Sequence, residues 1–293
     1  MKRVRLTVAY DGTNYHGWQV QPNGETIEGI LNRCLSELLG EKIEVIGASR
    51  TDSGVHALGN VAVFDTESPI PADKISYALN RRLPEDIRIQ KSEEVDGKFH
   101  PRRCASRKTY EYRIYCAPFP LPTKRFYSHF TYIPLDVSLM RQAAEYLVGI
   151  HDFKSFCSTE AQVETTVRQV DCVEVREERT EYGGMNRGEG AEKGLDPTGE
   201  KEADCGVKDD SAAVQGGKAE CREIVIRVSG RGFLYNMVRI IAGTLIDVGR
   251  GHIPPWKVQE ILEAGDRQTA GPTAPACGLT LMQIEYLDEG LES

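Results

Sequence analysis

The hydrophobic and polar positions along the chain follow two different periods, which predict strands in some segments and helices in others. The predicted strands are 3–10, 43–49, 58–65, 87–95, 107–116, 168–177, 222–229 and 279–286. The predicted helices are 26–39, 71–82, 136–148, 233–248 and 255–264. Two parts of the chain with a similar order of strands and helices meet near residue 104. This order indicates an α/β (α+β) fold whose sheet runs through both parts.

One loop between predicted strands carries candidate chemistry, because it places Asp52 between Arg50 and Gly54. Gly54 permits a tight backbone path. Arg50 would favour the ionised form of Asp52 if the loop brings the two side chains together. An ionised and positioned aspartate is a competent nucleophile. Asp, Ser and Gly also dominate ordinary turns, so a purely structural turn is the alternative.

Five short motifs stand out in order along the chain. They are Tyr10-Asp11-Gly12 with Gly17-Trp18-Gln19; Arg50-Thr51-Asp52-Ser53-Gly54-Val55-His56; Phe99-His100-Pro101-Arg102 with Lys108-Thr109-Tyr110-Glu111-Tyr112; Phe233-Leu234-Tyr235-Asn236-Met237-Val238-Arg239; and Cys277-Gly278-Leu279. Together they resemble the motifs of the tRNA pseudouridine synthase A family. The resemblance extends over nearly the whole chain.

The resemblance implies an enzyme that isomerises uridine to pseudouridine at positions 38 to 40 of tRNA, in the anticodon stem-loop, without a cofactor. It also implies a pseudo-duplicated fold with two halves, 1–103 and 104–293. In such a fold a mixed or antiparallel sheet is flanked by helices, and a central cleft lies between the halves. A homodimer in which one tRNA contacts both subunits is a further implication. The target base would have to leave its stack to reach the enzyme.

The same resemblance implies roles for individual side chains. Asp52 would be the nucleophile, attacking either C6 of uracil or C1′ of the ribose, and Arg50 and Arg239 would hold it ionised. Tyr110 would stack on the target base and serve in proton transfer. Leu279 would supply an apolar wall. Without the family, a plain half-buried strand position is the favoured interpretation of Tyr110, and Arg239 fits a solvated helix position.

The formal net charge of −8 is opposite in sign to what RNA binding requires, but most of this charge lies in one segment of the chain. Residues 177–221 hold 12 acidic and 6 basic residues, so the rest of the chain is nearly neutral, with 32 acidic and 30 basic residues. The segment 178–221 is predicted to be an acidic, flexible insertion that projects away from the cleft. The candidate phosphate contacts nearest to Tyr110 in the sequence are Arg102, Arg103, Arg107 and Lys108.

Cysteine and histidine usage bears on metals and location. The eight cysteines form no Cys-x-x-Cys pair and the six histidines are scattered, so neither a metal site nor a disulfide framework is expected. No apolar run is long enough to span a membrane, and the first residues carry no signal-like stretch. A cytoplasmic protein is therefore expected.

Two other classes of function stay open. Asp52-Ser53-Gly54 matches the short signature of an aspartic protease, in which a homodimer could supply the second aspartate of a dyad. Arg50 argues against the shared proton of such a dyad, because it favours the ionised carboxylate. A non-catalytic tRNA-binding module would need neither Asp52 nor Tyr110.

Overall fold

A ten-stranded mixed β-sheet runs through the computed structural model, which describes residues 1–158, 164–179 and 222–287. The strands are β1 (Lys2–Tyr10), β2 (Ile46–Gly47), β3 (His56–Thr66), β4 (Ile87–Val95), β5 (Ser106–Cys116), β6 (His129–Thr131), β7 (Gly149–Asp152), β8 (Val167–Arg179), β9 (Arg222–Gly230) and β10 (Leu279–Tyr286). The α-helices of the described residues are α1 (Ile27–Leu39), α2 (Ala72–Leu79), α3 (Val137–Glu145), α4 (Met237–Gly249) and α5 (Lys257–Ala264). Short 3-10 helices are Pro122–Lys124, Lys154–Phe156, Arg267–Thr269 and Ala276–Gly278. The expected α/β architecture, a mixed sheet flanked by helices, is confirmed.

The late strand β10 joins the two parts of the sheet. The main strand order is β4-β1-β3-β10-β5-β9-β8-β7, with β2 paired to β3 and β6 paired to β5. β10 runs parallel to β3 and antiparallel to β5, so that Leu281 pairs with Ala57 on one side and with Tyr110 on the other. The strand that follows the Asp52 loop and the strand that carries Tyr110 are therefore one strand apart.

Burial explains why these segments form these elements. β1 has the alternating pattern of a strand with one buried face, and its buried residues include Val4, Leu6 and Val8. α4 is apolar nearly all round and almost entirely buried, as expected for a helix enclosed by its surroundings. Each fully buried aliphatic side chain of this core contributes about 1.5–3 kcal/mol. The core thus extends from the first strand to the helix that begins just after Asn236.

The structure shortens two of the predicted elements and adds two strands that were not predicted. The strand predicted at 43–49 is only Ile46–Gly47, because the Ile43 and Val45 amides donate to side chains of α1 instead of to a neighbouring strand. The helix predicted from residue 233 begins at Met237. β6 and β7 were missed because three or four residues are too few to show a period.

The predicted insertion at 178–221 starts too early. β8 continues to Arg179 and pairs antiparallel with β9, so residues 178 and 179 belong to a strand. Residues 180–221 lie outside the described residues. The division at residues 103 and 104 and the pseudo-duplication stay predictions, because a single sheet continues across this point.

Candidate active site

A cleft of about 1020 Å³ is lined by the segment 16–23, the loop after β2, the strand β5, and the turn that leads into α4 together with the start of that helix. Arg102 and Leu279 complete the lining among the described residues. Its lining includes four basic side chains and one acidic side chain, which are Arg50, Arg102, Lys108, Arg239 and Asp52. The wall of the cleft therefore carries an excess of positive charge, although the chain as a whole is acidic.

Asp52 lies in this cleft and forms an ion pair with the arginine of α4. Its Oδ2 is 3.2 Å from Nη1 of Arg239, and the two side chains are only 20% and 17% exposed. A second contact fixes the guanidinium, because its Nε donates to the carbonyl of Ala274 at 2.8 Å. The two motifs that carry these residues, far apart in the sequence, thus meet in one contact.

Arg50 does not take the predicted position beside Asp52. Its side chain is exposed and lines the cleft, and within the described residues only Arg239 forms an ion pair with Asp52. The expectation that Arg50 would pair with Asp52 is therefore corrected. Two residues of separation in a loop do not fix the relative directions of two side chains.

The first motif of the chain holds the Asp52 loop in place. The amide of Trp18 donates to the carbonyl of Thr51 at 3.0 Å, and the amide of Gly54 donates to the carbonyl of Tyr15 at 3.3 Å. Gly17 has φ +83°, and a Cβ atom there would lie 2.5 Å from the Thr51 carbonyl oxygen. The close approach of these two backbones therefore requires glycine at this position.

A buried polar network lies behind the loop. The Asn60 amide donates to the Tyr10 hydroxyl at 3.3 Å and to the Ser49 carbonyl at 3.0 Å. The Tyr10 and Thr51 hydroxyls are 2.7 Å apart. The sequence analysis missed Asn60, although a polar residue inside an apolar strand was a usable signal, since buried polar groups need partners.

Tyr110 faces the cleft from β5. Its hydroxyl is hydrogen-bonded to the Ser49 hydroxyl at 2.9 Å, and its ring meets Phe233 edge-on with 5.3 Å between centroids. Burial raises the pKa of Tyr110 to about 12; the Ser49 hydrogen bond opposes this rise and the charge of Asp52 adds to it. The phenol is therefore protonated at neutral pH and stays near the carboxylate.

Two of the four predicted phosphate contacts lie in the cleft. Lys108 Nζ donates to the Ala48 carbonyl at 3.0 Å, and Arg102 Nε donates to the Gly47 carbonyl at 2.8 Å. Burial, with the neighbouring Arg102 charge, lowers the pKa of Lys108 to about 8. Leu279 lines the same cleft.

The other two predicted contacts lie elsewhere. Arg107 is 2.9 Å from Asp171 in an ion pair, and neither Arg107 nor the exposed Arg103 lines the cleft. His56, which follows the loop, accepts from the Gly12 amide at 3.1 Å through Nδ1 and donates to the Phe126 carbonyl through Nε2. In the described part of the chain, no three His, Cys, Asp or Glu side chains are grouped to hold a metal ion. No helix there is long and apolar enough to cross a membrane.

Burial dominates the electrostatics of Asp52. It raises the pKa of this carboxyl above its ordinary value, and Arg239 offsets the rise only in part. A group whose pKa is higher in the folded than in the unfolded state contributes stability below the unfolded pKa, and this stability is lost as the pH rises through the folded pKa. At neutral pH the ionised Asp52 therefore lowers the free energy of unfolding.

We accordingly expect Asp52→Asn to melt at a higher temperature than the wild type at pH 7. The shift should be on the order of 2–4 °C for each kcal/mol gained in the free energy of unfolding. Differential scanning calorimetry measures this shift. Asp65→Asn is the matched control with the opposite sign, because the Arg3 hydrogen bond lowers the pKa of Asp65 and its ionised form stabilises the fold. A melting temperature for Asp52→Asn as far below wild type as that of Asp65→Asn would contradict the prediction.

Gly17→Ala should destabilise the protein more than Gly40→Ala. Both glycines have positive φ, +83° and +70°, so both substitutions carry the cost of about 1–2 kcal/mol for a left-handed residue. Only Gly17 faces a backbone atom, since nothing lies within 4 Å of a Cβ at Gly40. Urea unfolding of both variants gives the two free energies; equal losses would mean that the contact with Thr51 has no effect.

The chain is similar to known proteins over nearly its whole length. A family model described as tRNA pseudouridine synthase matches residues 6–102 and 143–287. A protein of Ruminiclostridium cellulolyticum named tRNA pseudouridine synthase A is 45% identical over 98% of this chain and 100% of its own. Proteins of the same name from Acetivibrio thermocellus and Brevibacillus brevis are 41% and 42% identical over the same shares. With a model match on both sides of the sheet and relatives aligned from end to end, the chain belongs to the tRNA pseudouridine synthase family.

Proposed function

We propose that this protein isomerises uridine to pseudouridine at positions 38 to 40 in the anticodon stem-loop of tRNA, with Asp52 as nucleophile and no cofactor. The observation that carries the proposal is the Asp52–Arg239 ion pair in the same cleft as Tyr110. The three relatives described above, each named tRNA pseudouridine synthase A, supply the substrate class.

The reaction is an exchange of bonds within one nucleotide. The bond from N1 of uracil to C1′ of the ribose breaks, a bond from C5 to C1′ forms, C5 loses a proton and N1 gains one. Asp52 adds to C6 or to C1′ and leaves again, so it is regenerated. Either route starts from the ionised carboxylate, which the positive charge of Arg239 favours over the protonated form.

Tyr110 suits the proton transfer and the binding of the base. Its ring forms part of the cleft wall, where a flipped uracil can stack on it. Its hydroxyl is protonated at neutral pH and bonded to Ser49. The phenol oxygen can therefore accept the proton from C5 as it passes its own proton to the Ser49 hydroxyl, which releases one to water in the cleft. Leu279 adds an apolar surface on the same wall.

The charges of the cleft suit RNA. Arg50, Arg102 and Lys108 line it without an ion-pair partner in the part of the chain that the structure describes. Cations that line a cleft without ion-pair partners attract phosphates and raise the rate of association. The homodimer and the cytoplasmic location that the sequence analysis expects belong to the same proposal.

The arrangement disfavours an aspartic protease. Such an enzyme needs a second carboxylate to share a proton with the first. Among the described residues that line the cleft, Asp52 is the only acidic one. Its ion pair with Arg239 favours the ionised carboxylate over a proton shared with a second aspartate, including one from another subunit.

The proposal is tested with a tRNA transcript tritiated at C5 of uracil. Wild-type protein should release tritium without added metal or cofactor, because C5 loses its hydrogen in the reaction. Asp52→Asn should release none and should still bind the tRNA. Transcripts in which only one of positions 38, 39 and 40 is a uridine locate the target. Binding without release by the wild type would leave a tRNA-binding module.

Arg102→Met and Lys108→Met should each weaken tRNA binding and lower the slope of log K against log salt by about 1. Arg103→Met is the matched control, since this exposed arginine does not line the cleft, and its effect should be smaller. Because the pKa of Lys108 is about 8, the wild-type affinity should fall as the pH rises through this value, and Lys108→Met should remove this dependence. Equal salt slopes in all three variants would contradict the assignment.

A further inference from the structure

Asn236 has an unusual backbone conformation beside the cleft. Within the described residues it is the only non-glycine residue with positive φ, at +60°. It immediately precedes α4, where an asparagine side chain commonly accepts a hydrogen bond from the first turn of the helix. No such bond forms here. The side chain is therefore used for something other than capping.

The side chain of Asn236 instead connects two groups at the cleft. Its Oδ1 accepts from Nη1 of Arg239 at 2.9 Å, and its Nδ2 donates to Oγ of Ser158 at 2.8 Å. The backbone of the same turn is fixed as well, because the Ser158 amide donates to the Tyr235 carbonyl at 3.2 Å. The amide group thus links an anchored serine to Arg239.

The nitrogen that Asn236 holds is the one that contacts Asp52. Nη1 of Arg239 lies 2.9 Å from the amide oxygen and 3.2 Å from Oδ2 of the carboxylate. The other fixed point of the guanidinium is Nε, on the Ala274 carbonyl. Without the amide oxygen, only the hydrogen bond from Nε to the Ala274 carbonyl would fix the guanidinium, which could then turn away from Asp52.

We propose that Asn236 is a positioning residue, which holds Nη1 of Arg239 against Asp52 and so keeps the carboxylate ready to react. With this positive φ, the side chain contacts the Arg239 guanidinium and not the backbone amides of the first turn of α4. Unusual backbone conformations of this kind persist only where the surroundings enforce them, and they cluster at active sites. The role in catalysis rests on the proposed function, whereas the effect on Asp52 does not.

The proposal predicts a change in the pKa of Asp52, which depends on the charged groups around this carboxyl. Among the described residues, the titratable and charged groups that line the cleft with Asp52 are His16, Arg50, Arg102, Lys108, Tyr110, Tyr235 and Arg239. Arg239 is the one whose charge and hydrogen bond lower the pKa of Asp52. A loosened Arg239 should therefore raise this pKa, by less than the about 1–3 units that complete loss of an adjacent arginine gives.

Asn236→Gly and Asn236→Ala separate the side chain from the backbone. Both remove the amide, but only glycine accepts positive φ without strain. We expect both variants to lose about 10- to 100-fold in kcat with little change in KM, as when the partner that orients a reactive group is removed. The alanine variant should in addition melt at a lower temperature than the glycine variant. Full activity of Asn236→Gly would mean that only the backbone conformation matters at this position, and it would overturn the proposal.

The pKa of Asp52 is measured by carbon-13 NMR titration of the labelled carboxyl, which Asp52→Asn identifies. Asn236→Gly should raise this pKa, and an unchanged value would overturn the proposal. This result does not depend on any RNA substrate, so failure of the proposed function is distinguished from failure of the positioning role. If the glycine and alanine variants do not fold, Ser158→Ala takes their place. It removes the hydroxyl that accepts from the Asn236 amide and adds no charge, so it should also raise the pKa of Asp52, and an unchanged value would overturn the proposal.

Discussion

The central constraint of the structure is the placement of a carboxylate where water has largely been removed. Desolvation opposes the ionised form of Asp52, and the single arginine that contacts it compensates only in part. A loop left to itself would move outward until the carboxylate was hydrated. The surrounding hydrogen bonds oppose this motion: the Trp18 and Gly54 amides hold the loop from one side, and Asn60 and Tyr10 hold it from behind.

This constraint explains why the residues around the loop are so specific. Gly17 allows the backbone of the first motif to approach Thr51, and Asn60 satisfies polar groups that would otherwise be buried without partners. Such residues have no part in the chemistry. They determine where the carboxylate lies, and small changes in position have large effects on rate.

Much of this site could be predicted from the sequence, because its residues lie in short motifs with recognisable neighbours. The Asp52 loop follows from the two strands beside it, and Tyr110 from an alternating strand. The pairing of Asp52 with Arg239 and not with Arg50 could not be deduced from local spacing, since it depends on the path of the backbone between distant elements. The turn at Asn236 was hidden for a different reason: apolar residues continue through 233–248, and their pattern does not show the change of φ at one residue.

The position of β10 between β3 and β5 has a consequence for the order in which the protein assembles. The ribosome completes the Asp52 loop and the strand of Tyr110 long before it makes residues 279–286. Contacts between such distant parts of a chain close late, because their loop entropy must first be overcome. Until then β3 and β5 lack a strand neighbour on that side, and open edges invite wrong pairing. A growing chain thus carries Asp52 early, but the cleft around this carboxylate is completed only when β10 inserts.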